Sequence, residues 1–321
     1  MTHPIPKQAL DDRLAFIGTS GSGKTHSAGT CVERPLLDKA RAIVVDPLGV
    51  WWGLRIKADG ADGFSIPIFG GAHGDLALTE HAGALIGETV ADMAESCIID
   101  LSQINTKAGE RRFMLAFLTA IYRGVNGSPV HVVFDEADMW APQRLLDKDG
   151  EAAKLLGMIE PIVRSGRVKL RAQAHHPEAT GNLEEPVEHG RRHHLVQADV
   201  LAGPRCDRRL DRGPGRQARG EAILAPLPSL ERGRGVVWMP ARGILERASF
   251  PQKVTFDSSR IPKRGESVPT ASLKPLDLSA LKARLSVVDG RLKPAHNPCL
   301  AASGRAKTRR ACPRAAPRAE P

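Results

Sequence analysis

The sequence predicts an α/β protein built on a mostly parallel sheet with helices on both faces. Three observations carry this. Short apolar runs alternate with stretches of helical period along the first 169 residues. These runs end in a glycine or a carboxylate. The first run leads straight into a glycine-rich loop that opens a helix. Ligands of such sheets gather at the carboxyl ends of the strands, where the polar residues here collect.

The first run, Leu14-Ala15-Phe16-Ile17, reads as a buried strand. Residues 18–25, GTSGSGKT, follow and satisfy G-x-x-x-x-G-K-[ST], the P-loop pattern. Its glycines let the backbone turn tightly and bring N–H groups to phosphate oxygens. The helix that begins inside it points its positive end at the same place. Gly18, Thr19, Ser20, Gly21, Ser22, Gly23, Lys24 and Thr25 are therefore candidate nucleotide-binding residues. Lys24 can reach the β- and γ-phosphates, and the Thr25 hydroxyl can ligate Mg²⁺. The helix is expected to run to about Glu33, with Pro35 as its stop.

The next strand, Ala42-Ile43-Val44-Val45-Asp46, ends in a carboxylate and precedes Pro47, Gly49, Trp51 and Trp52. A short strand is expected between Phe64 and Phe69. Helical spacing recurs from Thr79 to Met93. Cys97-Ile98-Ile99-Asp100-Leu101 is a third main strand, and Phe113 to Tyr122 mark an amphipathic helix closed by Gly124. Val130 to Phe134 is a fourth, ending in Asp135-Glu136. An apolar strand ending in Asp-Glu is the Walker B pattern. Asp135 is a candidate nucleotide-site and Mg²⁺-holding residue opposite Thr25. Glu136 is the candidate general base for an attacking water.

Composition narrows the class. Charged residues are 26% and aromatics 4% of the 321 residues, and no apolar stretch is long enough to span a membrane. The five cysteines are scattered without a CxxC pair, which fits a reducing cytoplasm better than a disulfide framework. The net charge of +10 is uneven: residues 170–219 carry +2, residues 290–321 carry +7, and the rest of the chain +1.

Residues 135–138 spell DEAD, but the chain lacks the Ser-Ala-Thr motif and the arginine-rich second lobe of DEAD-box helicases. GTSGSGKT, the strand and DPLG at 43–49, IIDLS at 98–102, VVFDEADMWAP at 132–142 and RSGR at 164–167 instead resemble the HerA/FtsK group of P-loop ATPases, including bacterial and phage ATP-binding proteins with a HerA-like core. The resemblance covers about residues 10–169 and again 220–266, and Asp138 stands where that group more often has His. It implies a RecA-like P-loop NTPase with ATP and Mg²⁺ as cofactors, a homo-oligomeric, hexameric ring, and a motor that translocates on double-stranded DNA. It also implies that a neighbouring subunit's arginine completes the site. Arg164 and Arg167, after the amphipathic stretch Ala153–Val163, are the candidates, set against two solvated arginines at a helix end.

The organisation that results is an NTPase core at 1–169, an irregular insert at 170–219 expected to be poorly ordered, the remainder of the ATPase domain at 220–266, and a linker with a basic tail at 267–321, the tail expected to be disordered. Residues 170–219 contain no Phe, Tyr or Trp and hold five of the eleven histidines. Gly190 and the arginines around His189 and His193 argue against a metal-binding helix face. The segment is expected to lack the buried strand that should follow Walker B. It reads as translated out of frame: back-translated and shifted by one base, permitted codons yield an apolar strand ending in Thr-Gln, a second strand and a Trp-bearing helix. The alternative function is therefore an ATP-binding protein with impaired or no hydrolysis. A small-molecule kinase is disfavoured because Asp135-Glu136 suits water activation.

Overall fold

In three of the strands the residues alternate between two apolar environments, which explains their nearly continuous hydrophobicity. In Ala42–Asp46 (β2), Ile43 and Val45 face one core cluster while Ala42 and Val44 face the other. Cys97–Asp100 (β4) does the same, with Cys97 and Ile99 on one side and Ile98 on the other. Val130–Phe134 (β5) puts Val130, Val132 and Phe134 on the first side and Val133 on the second. Both faces of the sheet must then be covered.

The structure is a computed structural model that describes residues 2–18, 21–125, 129–142, 150–165, 170–176, 194–198, 234–239, 242–260 and Ser279. The remaining strands are Leu14–Gly18 (β1), Ile68–Gly70 (β3), Leu170–His176 (β6), His194–Ala198 (β7), Arg234–Met239 (β8) and Ile244–Ser249 (β9). Among the described residues they form one nine-stranded sheet in the order β3-β4-β2-β5-β6-β1-β7-β8-β9. The neighbours from β3 to β1 all pair in parallel. β7 pairs antiparallel with β1 and parallel with β8, and β9 closes the edge antiparallel to β8.

Helices Gly83–Asp92 (α2), Lys107–Gly124 (α3) and Glu151–Ser165 (α5) cover one face, packing Ile86, Phe113, Phe117 and Leu155 against it. Helix Lys24–Leu37 (α1) covers the other with Ala28, Cys31 and Val32. The fold class is thus α/β, with the parallel sheet and two helical layers expected. Among the described residues no helix is long and apolar enough to cross a membrane.

Three expectations are corrected. Pro35 does not stop α1 but lies in its last turn, where the helix ends at Asp38 by bonding back to Arg34 and Leu36. A proline there forfeits one bond near a terminus that is already losing its partners. The strand expected between Phe64 and Phe69 is shorter and later. The strand expected to be missing from 170–219 is present: Leu170–His176 sits between β5 and β1, paired on both sides. Its sequence, LRAQAHH, has no apolar run to announce it. The two flanking strands supply ladder partners that local propensity does not reveal. The expected disordered tail lies outside the described residues, apart from Ser279.

Candidate functional site

The glycine-rich loop joins β1 to α1 at the carboxyl end of the sheet. Gly21 and Gly23 adopt φ of 75° and 103°, a left-handed backbone that favours glycine. Gly23 is the N-cap of α1 and offers no side-chain cap, so the first N–H groups of the helix are left for another acceptor. Ser22 is buried, and its Oγ has no hydrogen-bond partner among the described residues. An orphaned buried hydroxyl beside uncapped N–H groups fits an anion. Thr19 and Ser20 lie outside the described residues.

Lys24 is 8% exposed and donates from Nζ to the Gly18 carbonyl at 2.7 Å. Burial lowers its pKa, and the carboxylates of Glu136, Asp135 and Asp138 oppose that shift. The expected pairing of loop and Asp-Glu is therefore seen in space. The register sets the distance: Phe134 of β5 is level with Ala174 of β6, itself level with Ala15 of β1. Two strand spacings, about 10 Å, separate Phe134 from Ala15, and β1 runs three residues further, to Gly18.

Asp135 is buried and its carboxylate is tightly held. Oδ2 accepts from the Trp51 indole Nε1 at 2.8 Å, and Oδ1 from the Glu136 N–H at 3.2 Å. Trp140 Nε1 donates to the Asp135 carbonyl at 3.0 Å. Glu136 has φ 47° and ψ 55°, and it caps the short helix Ala137–Trp140 (α4). A glutamate in that conformation is uncommon, and such strain gathers at working sites.

Two further carboxyls line the same end of the sheet. Asp46, fully buried, accepts the N–H groups of Leu48 and Gly49 on Oδ1 and of Trp51 on Oδ2. Burial, then the charges of Asp100 and Asp135, push its pKa up to about 8. Asp100 is raised too, by burial, against hydrogen bonds from Ser102 and the nearby His73. Among the described residues no group of three or more His, Cys, Asp or Glu side chains is arranged to hold a metal ion. The Thr25 hydroxyl and the Asp135 carboxylate still suit Mg²⁺, which commonly takes one or two protein oxygens and completes its shell with phosphate and water.

Arg164 lies in the last turn of α5, where only its backbone is described, and Arg167 lies outside the described residues. Sequence reasoning placed Asp46 and Asp100 at this end of the sheet but missed Trp51 and Asp138 as neighbours of the site. The visible signal was a Trp pair just after a strand-ending Asp-Pro. No family model, curated protein or solved structure matches this chain.

Proposed function

We propose that this chain is a P-loop NTPase of the RecA-like, HerA/FtsK type that binds ATP at Gly18–Thr25 and hydrolyses it with Mg²⁺. The observation that carries the reading is Lys24. It is a buried ammonium at the uncapped start of a helix, held on the Gly18 carbonyl and balanced by Asp135, Glu136 and Asp138.

The loop N–H groups and the α1 N-terminus receive the phosphate oxygens. Lys24 exchanges the Gly18 carbonyl for one of those oxygens, adding charge where it develops during transfer. Thr25 and Asp135 would hold Mg²⁺. Held there, the ion would supply positive charge to the phosphate oxygens. Glu136 orients a water and takes its proton as the new P–O bond forms and the bond to the ADP oxygen breaks. Arg164 or Arg167 of a neighbouring subunit is the proposed partner for the transferring group. The hexameric ring and translocation on double-stranded DNA enter by resemblance, and the proposed location is the cytoplasm.

The second reading, ATP binding without efficient turnover, rested on a missing strand after β5 and the polar sensor residue at its end. Leu170–His176 stands in that position, so turnover is preferred. The gene's nucleotide sequence tests the out-of-frame reading of 170–219 separately. The test of function is ATP hydrolysis by the full chain with and without Mg²⁺ and duplex DNA. Hydrolysis that needs Mg²⁺ and rises with DNA is expected. A chain that neither binds nor hydrolyses ATP sinks the proposal.

A further inference from the structure

The loop after β2 wraps around Asp46, whose carboxylate gathers the N–H groups of Leu48, Gly49 and Trp51. That wrapping fixes the direction of the Trp51 side chain. The indole, 2% exposed, crosses to β5 and donates to Asp135 Oδ2. It is also held from behind. The Lys253 ammonium lies 6.0 Å from the ring centroid. Ser258 Oγ donates to the Val50 carbonyl at 2.6 Å and accepts the Gly53 N–H at 3.0 Å, clamping the loop on both sides of Trp51.

A carboxylate has about four lone-pair positions. Trp51 occupies one on Oδ2 and the Glu136 N–H one on Oδ1. A phenylalanine would fill much of the same space. The indole N–H therefore has a task beyond packing, since a buried donor needs its acceptor as much as the acceptor needs it.

We propose that Trp51 is a positioning residue: its indole N–H fixes the orientation of the Asp135 carboxylate and so sets the Mg²⁺ affinity of the site. The proposal rests on the hydrolysis reading above. Partners of this kind, behind a ligating carboxylate, typically change metal affinity by about 10- to 100-fold when removed.

The test is Trp51→Phe in the full chain, read by titrating Mg²⁺ against ATP hydrolysis and by ATP affinity in EDTA. The Mg²⁺ midpoint should rise about tenfold or more, with Mg²⁺-free affinity unchanged. Trp52→Phe, which alters a ring packed on His73 and Phe256, should leave the midpoint in place. An unchanged midpoint in Trp51→Phe overturns the proposal. Should Trp51→Phe not fold, the chain labelled with 5-fluorotryptophan decides. Its four signals are assigned with Trp52→Phe, Trp140→Phe and Trp238→Phe. The Trp51 signal must move when Mg²⁺ is added to the ADP-bound protein, and a static signal overturns the idea. A wild-type chain with no Mg²⁺-dependent nucleotide binding would instead sink the hydrolysis reading itself, and this inference with it.

Discussion

Glu136 concentrates the residue-scale argument. Its left-handed backbone costs a non-glycine residue about 1 kcal/mol, a cost that asparagine largely avoids. Glu136→Asn should therefore raise the unfolding free energy by up to about 1 kcal/mol while removing turnover. Thermal unfolding and ATP hydrolysis on one preparation check both halves. A variant that is less stable, or as active as wild type, contradicts the account. The residues that could be read from the sequence are those with a spacing rule, Gly18 to Thr25 and Asp135-Glu136. Trp51 could not, because it meets Asp135 across 84 positions and no local pattern encodes that bond. Asp46 was legible as a strand end but not as the anchor of three N–H groups.

Among the elements, α1 is held from outside by residues 250–260. Glu33 is 3% exposed and accepts the Val254 N–H at 3.0 Å, the Thr255 N–H at 2.9 Å and the Thr255 hydroxyl at 2.5 Å. His26, two residues after Lys24, bonds the Pro251 carbonyl at 3.0 Å and lies 3.5 Å from Asp257. Glu33→Ala leaves these donors without an acceptor and should cost about 2–4 kcal/mol. Amide exchange at Val254 and Thr255 should quicken well before global unfolding. If exchange there stays at the wild-type rate, the strap is held by something else. The elements with apolar runs were legible because both sheet faces are buried. β6 was not, since LRAQAHH gains its place from the strands on either side and not from its own composition.

For the whole molecule, the row of carboxyls at the carboxyl end of the sheet couples stability to pH. Burial, then the charges of Asp100 and Asp135, push the Asp46 carboxyl up to about 8, against an ordinary value of 3.8. A raised carboxyl favours the folded state most when protonated, so its contribution is full below about pH 4 and is lost by pH 8. His3, lowered to about 4 by burial, works the other way: its contribution is full above pH 6.5 and is lost as pH falls through 4. The comparison between wild type and Asp46→Asn isolates the first effect. From pH 4 to 8, the unfolding midpoint of Asp46→Asn should decline less than that of wild type. Equal slopes would show that Asp46 ionises as an ordinary aspartate.

The central claim is that one site divides its work, with Lys24 binding the triphosphate and Glu136 driving its hydrolysis. The most direct measurement is ATP affinity and turnover side by side for Lys24→Ala and Glu136→Gln in the full chain. The account predicts that Lys24→Ala loses binding, while Glu136→Gln binds ATP as wild type does and turns over about 10²- to 10⁴-fold more slowly. Wild-type turnover in Lys24→Ala, or in Glu136→Gln, would contradict it.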